Sequence, residues 1–165
     1  MRRPAGSEWI PEMAGTLGQY APRTRSWPTA DRVPYNPAMP RVGAMAQITV
    51  IIPNYNGARH LQPCLASLAR QTRPPEEVIV VDNGSADASR EVLRAVAPEA
   101  VWLPQGRNLG FAAAVNAGVR AARGDWVAVL NNDTEVADGW LDGCVAGMKR
   151  HPEAAFLACR VLDHQ

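Results

Sequence analysis

The chain reads as an α/β fold: a doubly wound, mostly parallel sheet with helices on both faces, preceded by a disordered N-terminal tail. Two observations predict it. Strand-like and helix-like segments alternate from Gln47 onward, and the strand-like segments are continuous apolar runs rather than alternating ones. Right-handed crossovers between parallel strands then place helices on both sides of the sheet.

The elements follow in order. Ile48-Thr49-Val50-Ile51-Ile52 is a β-branched run closed by Pro53. Leu61, Cys64, Leu65 and Leu68 recur at helical spacing, and Pro74-Pro75 mark the turn that follows. Val78-Ile79-Val80-Val81 is a second strand. Ser85 to Ala88 opens a helix whose apolar face is Val92, Leu93 and Val96. Val101-Trp102-Leu103 is a short third strand. Phe111 to Arg123 reads as a helix with Val115 and Val119 inward, ended by Gly124. Trp126 to Leu130 is a fourth strand and Trp140 to Arg150 a further helix. Ala155 to Leu162 is expected to be a fifth strand.

Residues 1–44 differ in texture. They hold seven of the fourteen prolines, six arginines against three acids, and no apolar period. Proline at that density blocks helix interiors and sheet ladders, so a disordered Pro/Arg-rich leader is expected. A docking arm with aromatic anchors is a second reading. Met45 directly precedes the first strand run, and a start there, with the leader an over-extension, is a third. The folded domain is then 45–165.

Composition excludes several classes. The net charge of +1 gives no case for nucleic-acid binding. Cys64, Cys144 and Cys159 are odd in number and far apart, with no C-x-x-C pair, which argues against a disulfide framework or a zinc site and for a reducing compartment. No apolar run approaches the roughly 18 residues of a membrane span, and no secretory signal opens the chain.

The polar residues collect at strand ends. The first strand runs into Pro53-Asn54-Tyr55-Asn56-Gly57, the second into Asp82-Asn83-Gly84-Ser85, and the fourth into Asn131-Asn132-Asp133-Thr134. Asn108-Leu109-Gly110 closes the loop after the third. One such cluster is ordinary turn chemistry. Three at equivalent strand ends converge on one rim of the sheet, where open α/β sheets bind ligands. Neither G-x-G-x-x-G after a strand nor G-x-x-x-x-G-K is present, which disfavours a nicotinamide dehydrogenase or a P-loop enzyme. A diphosphate would find no basic loop here, but a divalent cation on Asp133 would answer its charge. Asp82 and Asn83 could then hydrogen-bond a base edge, with Tyr55 packing nearby.

Four segments carry a family resemblance: I-T-V-I-I-P-N-Y-N-G (48–57), V-V-D-N-G-S-A-D (80–87), N-L-G-F-A-A-A-V-N-A-G (108–118) and G-D-W-V-A-V-L-N-N-D-T (124–134). In order and spacing they resemble the family 2 glycosyltransferases of the GT-A fold, over about residues 47–163, the nucleotide-sugar half of such an enzyme. The resemblance implies transfer of a sugar, with inversion, from a nucleoside diphosphate to an acceptor glycan or lipid-linked glycan. It implies that Pro53, Asn54, Tyr55 and Asn56 line the nucleoside pocket and that Asp82 and Asn83 contact the base. Asn108 and Gly110 would approach the nucleotide and sugar. Asn131, Asn132 and Asp133 would stand as the D-x-D-type triplet, with Asp133 the ligand for Mg²⁺ or Mn²⁺.

Two departures from the family pattern matter. The triplet is N-N-D, which resembles the rhamnosyltransferase-like branch and favours a dTDP- or UDP-sugar. The chain also stops at Gln165, before the acceptor half that supplies the catalytic base in relatives, so that residue is unassigned. Asp138, Asp142 and Glu153 read as surface groups. The runner-up reading is a truncated fragment that binds nucleotide-sugar without transferring it. Self-association through an exposed truncated edge and a cytoplasmic place, peripheral at the inner face of a membrane, complete the expectations. A nucleotidyltransferase would need a Gly-rich, basic loop after the first strand, which Pro53 to Ala58 lacks.

Overall fold

The structure, a computed structural model, describes residues 46–162. The expected leader and the alternative start at Met45 lie outside those residues. Eight elements follow one another: β1 (Ile48–Asn54), α1 (Ala58–Ala69), β2 (Glu77–Asp82), α2 (Ser89–Val96), β3 (Val101–Pro104), α3 (Phe111–Ala121), β4 (Trp126–Val129) and α4 (Trp140–Arg150). The four strands form one parallel sheet in the order β3-β2-β1-β4. The chain therefore winds outward from β1 through β2 to β3, then crosses back to place β4 on the other side of β1. The direction of winding reverses between β1 and β4.

Side chains alternate across a strand, so β1 feeds two cores. Ile48, Val50 and Ile52 join Val80 on one face. They pack with Leu61, Cys64, Leu65 and Leu68 of α1, Leu93 of α2, and Leu141 and Val145 of α4. Ile51 joins Ile79 and Val81 on the other face, beneath Ala114 and Ala117 of α3. This second core is thinner because α3 presents small residues and sits very close. A Cβ at Gly118 would lie 2.5 Å from Ile51 Cγ2 and 3.1 Å from a Val81 methyl.

Three expectations are corrected. First, α3 turns Ala114, Ala117 and Gly118 to the sheet; Val115 is only half-buried and Val119 is exposed. Close approach of the helix rewards small residues at the contact, so the apolar valines fall to its flanks. Second, α3 lies over β1 and β2, leaving the adjoining face of β4 bare: Val127 and Val129 are 39% and 44% exposed. Among the described residues the sheet is thus not covered on both faces throughout. Third, Ala155 to Leu162 forms no strand. A strand needs a ladder partner. This segment instead doubles back along α4, where Leu157 sits over Gly147.

The cross-linking at the lower end of the sheet is polar. Glu77, almost fully buried, accepts from the Thr49 hydroxyl (3.2 Å) and the Arg123 N–H (3.1 Å), and its other oxygen meets the Arg123 guanidinium at 2.8 Å. Thr49 Oγ1 in turn accepts from the Gly124 N–H (3.0 Å). This ties the α3–β4 connection to β1 and β2.

The close approach of α3 gives a direct test. Replacing Gly118 with valine forces atoms into Ile51 and Val81, and is expected to lower the unfolding free energy by about 1–3 kcal/mol, measured by urea denaturation.

Candidate functional site

The β1–β4 ladder makes its last hydrogen bond from the Leu130 N–H to the Ile51 carbonyl (2.9 Å). The next β1 residue in phase toward β4 is Pro53, which has no N–H to give. There the two strands part. On the other side β1 stays paired with β2 through Asn54, whose carbonyl accepts from the Asn83 N–H (2.8 Å). The result is a cleft of about 370 Å³ at the carboxyl ends of the strands, where the winding reverses.

Amide side chains hold its walls. Asn54 is 1% exposed. Its Oδ1 accepts from Asn132 Nδ2 (2.8 Å), and its Nδ2 donates to Ser85 Oγ (3.2 Å), with Asp82 Oδ1 at the longer distance of 3.5 Å. One buried amide therefore joins the loops after β1, β2 and β4. Asn83 Nδ2 donates to the Gly110 carbonyl (3.3 Å), while its buried Oδ1 has no partner. Asn108 Oδ1 accepts from the Gly110 N–H (2.9 Å), closing a tight turn in which Gly110 takes φ +86°. The β2 loop fits against this turn closely: Gly84 has φ +80°, and a Cβ there would meet the Arg107 backbone at 2.8 Å.

Nine of the eleven residues expected from sequence line the cleft: Pro53, Asn54, Tyr55, Asn83, Asn108, Gly110, Asn131, Asn132 and Asp133. Asn56 and Asp82 do not. Asn56 sits at φ +49° and clamps the β2 loop, donating its N–H to Ser85 Oγ (2.9 Å) and accepting from the Ala86 N–H (2.8 Å). Asp82, 5% exposed, accepts the Ser85 N–H on both oxygens (3.2 and 3.3 Å). Both hold the frame around the cleft. Phe111 is the lining residue that sequence reading missed. It was visible only as the start of a helix, yet that start opens at the rim with the ring 56% exposed.

Among the described residues, Asp133 is the one charged residue lining the cleft. Behind it, burial, and then the carboxylates of Asp133 and Glu135, push the Cys64 thiol up to about 12, so Cys64 is an inert packing group. The acids after the triplet are surface groups. Asp138 pairs with Arg70 (3.5 Å), Asp142 with Arg73 (3.8 Å) and Glu153 with His151 (3.5 Å). His60 accepts from Arg59 Nε (2.8 Å) and does not line the cleft.

The frame continues into two helix starts. One oxygen of Asp87 accepts from the Ala58 N–H of α1 (2.8 Å), the other from the N–H and hydroxyl of Ser89 in α2 (3.1 and 2.5 Å). The two backbone N–H groups are among the donors a helix leaves unpaired at its start.

The glycosyl transferase family 2 profile matches residues 49–164, which include every residue of the cleft. The chain belongs to glycosyl transferase family 2. It is 32% identical over 128 residues to an N-acetylglucosaminyl-diphospho-decaprenol L-rhamnosyltransferase of Mycobacterium tuberculosis, covering 70% of this chain and 41% of that protein. It is 36% identical over 98 residues to the succinoglycan biosynthesis protein ExoO of Rhizobium meliloti, covering 59% of this chain and 28% of that protein. The fold matches the crystal structure of residues 1–349 of S. aureus TarS, solved also with UDP and UDP-GlcNAc. The TM-score for the UDP-free form is 0.60 at 25% identity, over 64% of this chain and 33% of that one. It also matches the mannosyltransferase PcManGT of Pyrobaculum calidifontis in complex with GDP-Man and Mn²⁺. There the TM-score is 0.58 at 28% identity, over 68% of this chain and 34% of that one. The family 2 chain described here therefore spans about two fifths or less of these relatives, and its sheet is the GT-A type.

Asp87 sets an acid limit on this frame. Slight burial would raise its carboxyl, but the hydrogen bonds from Ser89 and Ala58 outweigh it and hold the group below the usual carboxylate value. A depressed carboxyl contributes stability above its unfolded value and loses it as pH falls through the folded one. Stability should drop below about pH 4, and Asp87→Asn should blunt that drop, read from urea midpoints across pH 2–6.

Proposed function

We propose that this chain forms the donor-binding half of a glycosyltransferase. In this reading a sugar passes, with inversion, from a nucleoside diphosphate to an acceptor glycan or lipid-linked glycan. The observation that carries the proposal is the convergence of four strand-end loops on one cleft at the winding reversal, with Asp133 its one charge among the described residues.

The cleft's chemistry supports a donor site. A diphosphate brings negative charge, and among the described residues no lysine, arginine or histidine lines the cleft. Mg²⁺ commonly takes one or two protein carboxylates and completes its shell with water and substrate phosphates. One carboxylate flanked by two amides fits that use, and Asp133 would hold the metal. When bound, such an ion offsets charge developing on the departing diphosphate. Tyr55 and Phe111 offer aromatic faces for the base or the sugar. The unpartnered Asn83 Oδ1 is an acceptor that the imide N–H of uracil or thymine would satisfy, in keeping with a UDP- or dTDP-sugar. Asn131 and Asn132 offer neutral amides to sugar or ribose hydroxyls, and Asn108 and Gly110 shape the opposite loop.

Among the described residues no other carboxylate lines the cleft, so the base that activates the acceptor comes, in this proposal, from outside residues 46–162. That same observation favours the second reading, a nucleotide-sugar-binding fragment that does not transfer. Both share the donor site. Among the described residues no helix is long and apolar enough to cross a membrane. A cytoplasmic site of action, peripheral at the inner membrane face, is part of the proposal, as is envelope or exopolysaccharide glycan as product.

Thermal unfolding with UDP, dTDP and GDP, each with and without Mn²⁺, tests the donor site. Ligand at about a hundred times its dissociation constant adds about 2.7 kcal/mol. A Mn²⁺-dependent rise for a pyrimidine diphosphate, lost in Asp133→Ala, is expected. A cooperative transition that no nucleotide moves would sink the proposal.

A further inference from the structure

Helix α4 and the stretch after it bring together a pair of sulfurs that the donor site does not use. Trp140, Cys144 and Gly147 recur at i, i+4 and i+7 and form one stripe of α4. The chain turns after Arg150 and runs back over that stripe. Leu157 Cδ1 lies 3.1 Å from where a Gly147 Cβ would be, so the missing side chain leaves room for it. Two residues on, Cys159 reaches the other end of the stripe. Its Sγ accepts from Trp140 Nε1–H (3.2 Å) and stands 3.8 Å from Cys144 Sγ. Cys144 is half-buried on the helix and Cys159 exposed on the returning segment. The third cysteine, Cys64, lies buried in the core beside Asn131.

We propose that Cys144 and Cys159 are a reversible dithiol–disulfide pair, a modification site that staples the returning segment 151–162 to α4. A disulfide needs its sulfurs at about 2.0 Å. The remaining gap closes by movement of Cys159, whose segment is exposed and outside any ladder. Burial, and then the neighbouring Cys159 sulfur, push the Cys144 thiol up to about 12, so it waits protonated while Cys159 meets reagents first.

The oxidant is a low-molecular-weight disulfide. The Cys159 thiolate attacks one of its sulfurs, forms a mixed disulfide and releases one small thiol. Cys144, losing its proton to solvent, attacks the Cys159 sulfur and expels the second small thiol, which takes up a proton. Two protein thiols become one disulfide, and one small disulfide becomes two thiols.

The test uses the full chain with oxidised glutathione under native conditions, then trypsin without reduction. Trypsin cuts between the two cysteines at Lys149 and Arg150, so the bond joins two separate peptides. The expected product is the Cys144–Cys159 linked pair, with Cys64 free and reduced glutathione reversing the link. Cys144→Ser is expected to stop at a mixed disulfide on Cys159. The linked chain should melt at least about 5 °C above oxidised Cys144→Ser, because the bond closes a 15-residue loop. A wild-type chain that stops at the mixed disulfide, keeps both thiols free, pairs either cysteine with Cys64, or melts no higher when linked would overturn the proposal.

Discussion

The last rung between β1 and β4, from the Leu130 N–H to the Ile51 carbonyl, decides where a site can exist. Below it the two strands share a ladder and the sheet is closed. Above it Pro53 cannot donate, and β4 turns away into Asn131-Asn132-Asp133. A residue with an N–H at position 53 could have prolonged the ladder and closed the gap. The crevice of a doubly wound sheet lies where winding reverses, and here its floor begins where one backbone donor is missing. The cost is small, because Pro53 falls beyond the last β4 partner in the register.

Once the strands part, backbone pairing no longer holds the loops, and side-chain amides take over. Asn54 links three loops from a position 1% exposed. Each such hydrogen bond contributes about 0.5–1.5 kcal/mol net, but leaving a buried partner unsatisfied costs more. The network is therefore stiffer than its individual energies suggest. Amides also leave the lining nearly uncharged, with Asp133 the one charged residue among the described residues that line the cleft. A carboxylate at Asn131 or Asn132 would add negative charge where a diphosphate is proposed to sit.

Much of this was legible in the sequence, for physical reasons. Apolar runs located all four strands, because β1 and β2 are buried on both faces and the half-covered β3 and β4 are apolar as well. The strand-end clusters located nine lining residues, because Asn, Asp and Gly at strand ends leave the sheet on the same rim. What failed did so where local pattern is not the deciding force. Val115 and Val119 were expected inward by hydrophobicity, but the inward face of α3 was chosen by how close the helix could come, which favours Ala114, Ala117 and Gly118. Ala155 to Leu162 has a strand's composition, yet a strand exists only with a partner, and among the described residues none borders it. Asp82 also caps its own turn, a role that only the Ser85 N–H geometry reveals. Cys144 and Cys159, far apart in sequence, meet because the chain reverses after α4.

The most direct measurement of the central claim is amide chemical-shift mapping of the chain titrated with UDP and Mg²⁺. The account predicts saturable shifts confined to 54–55, 83, 108–111 and 131–133, the residues where the β1–β4 parting gathers the loops. Shifts centred on the α4 stripe or on the lower end of the sheet near Glu77, or no shifts with the chain folded, would contradict it.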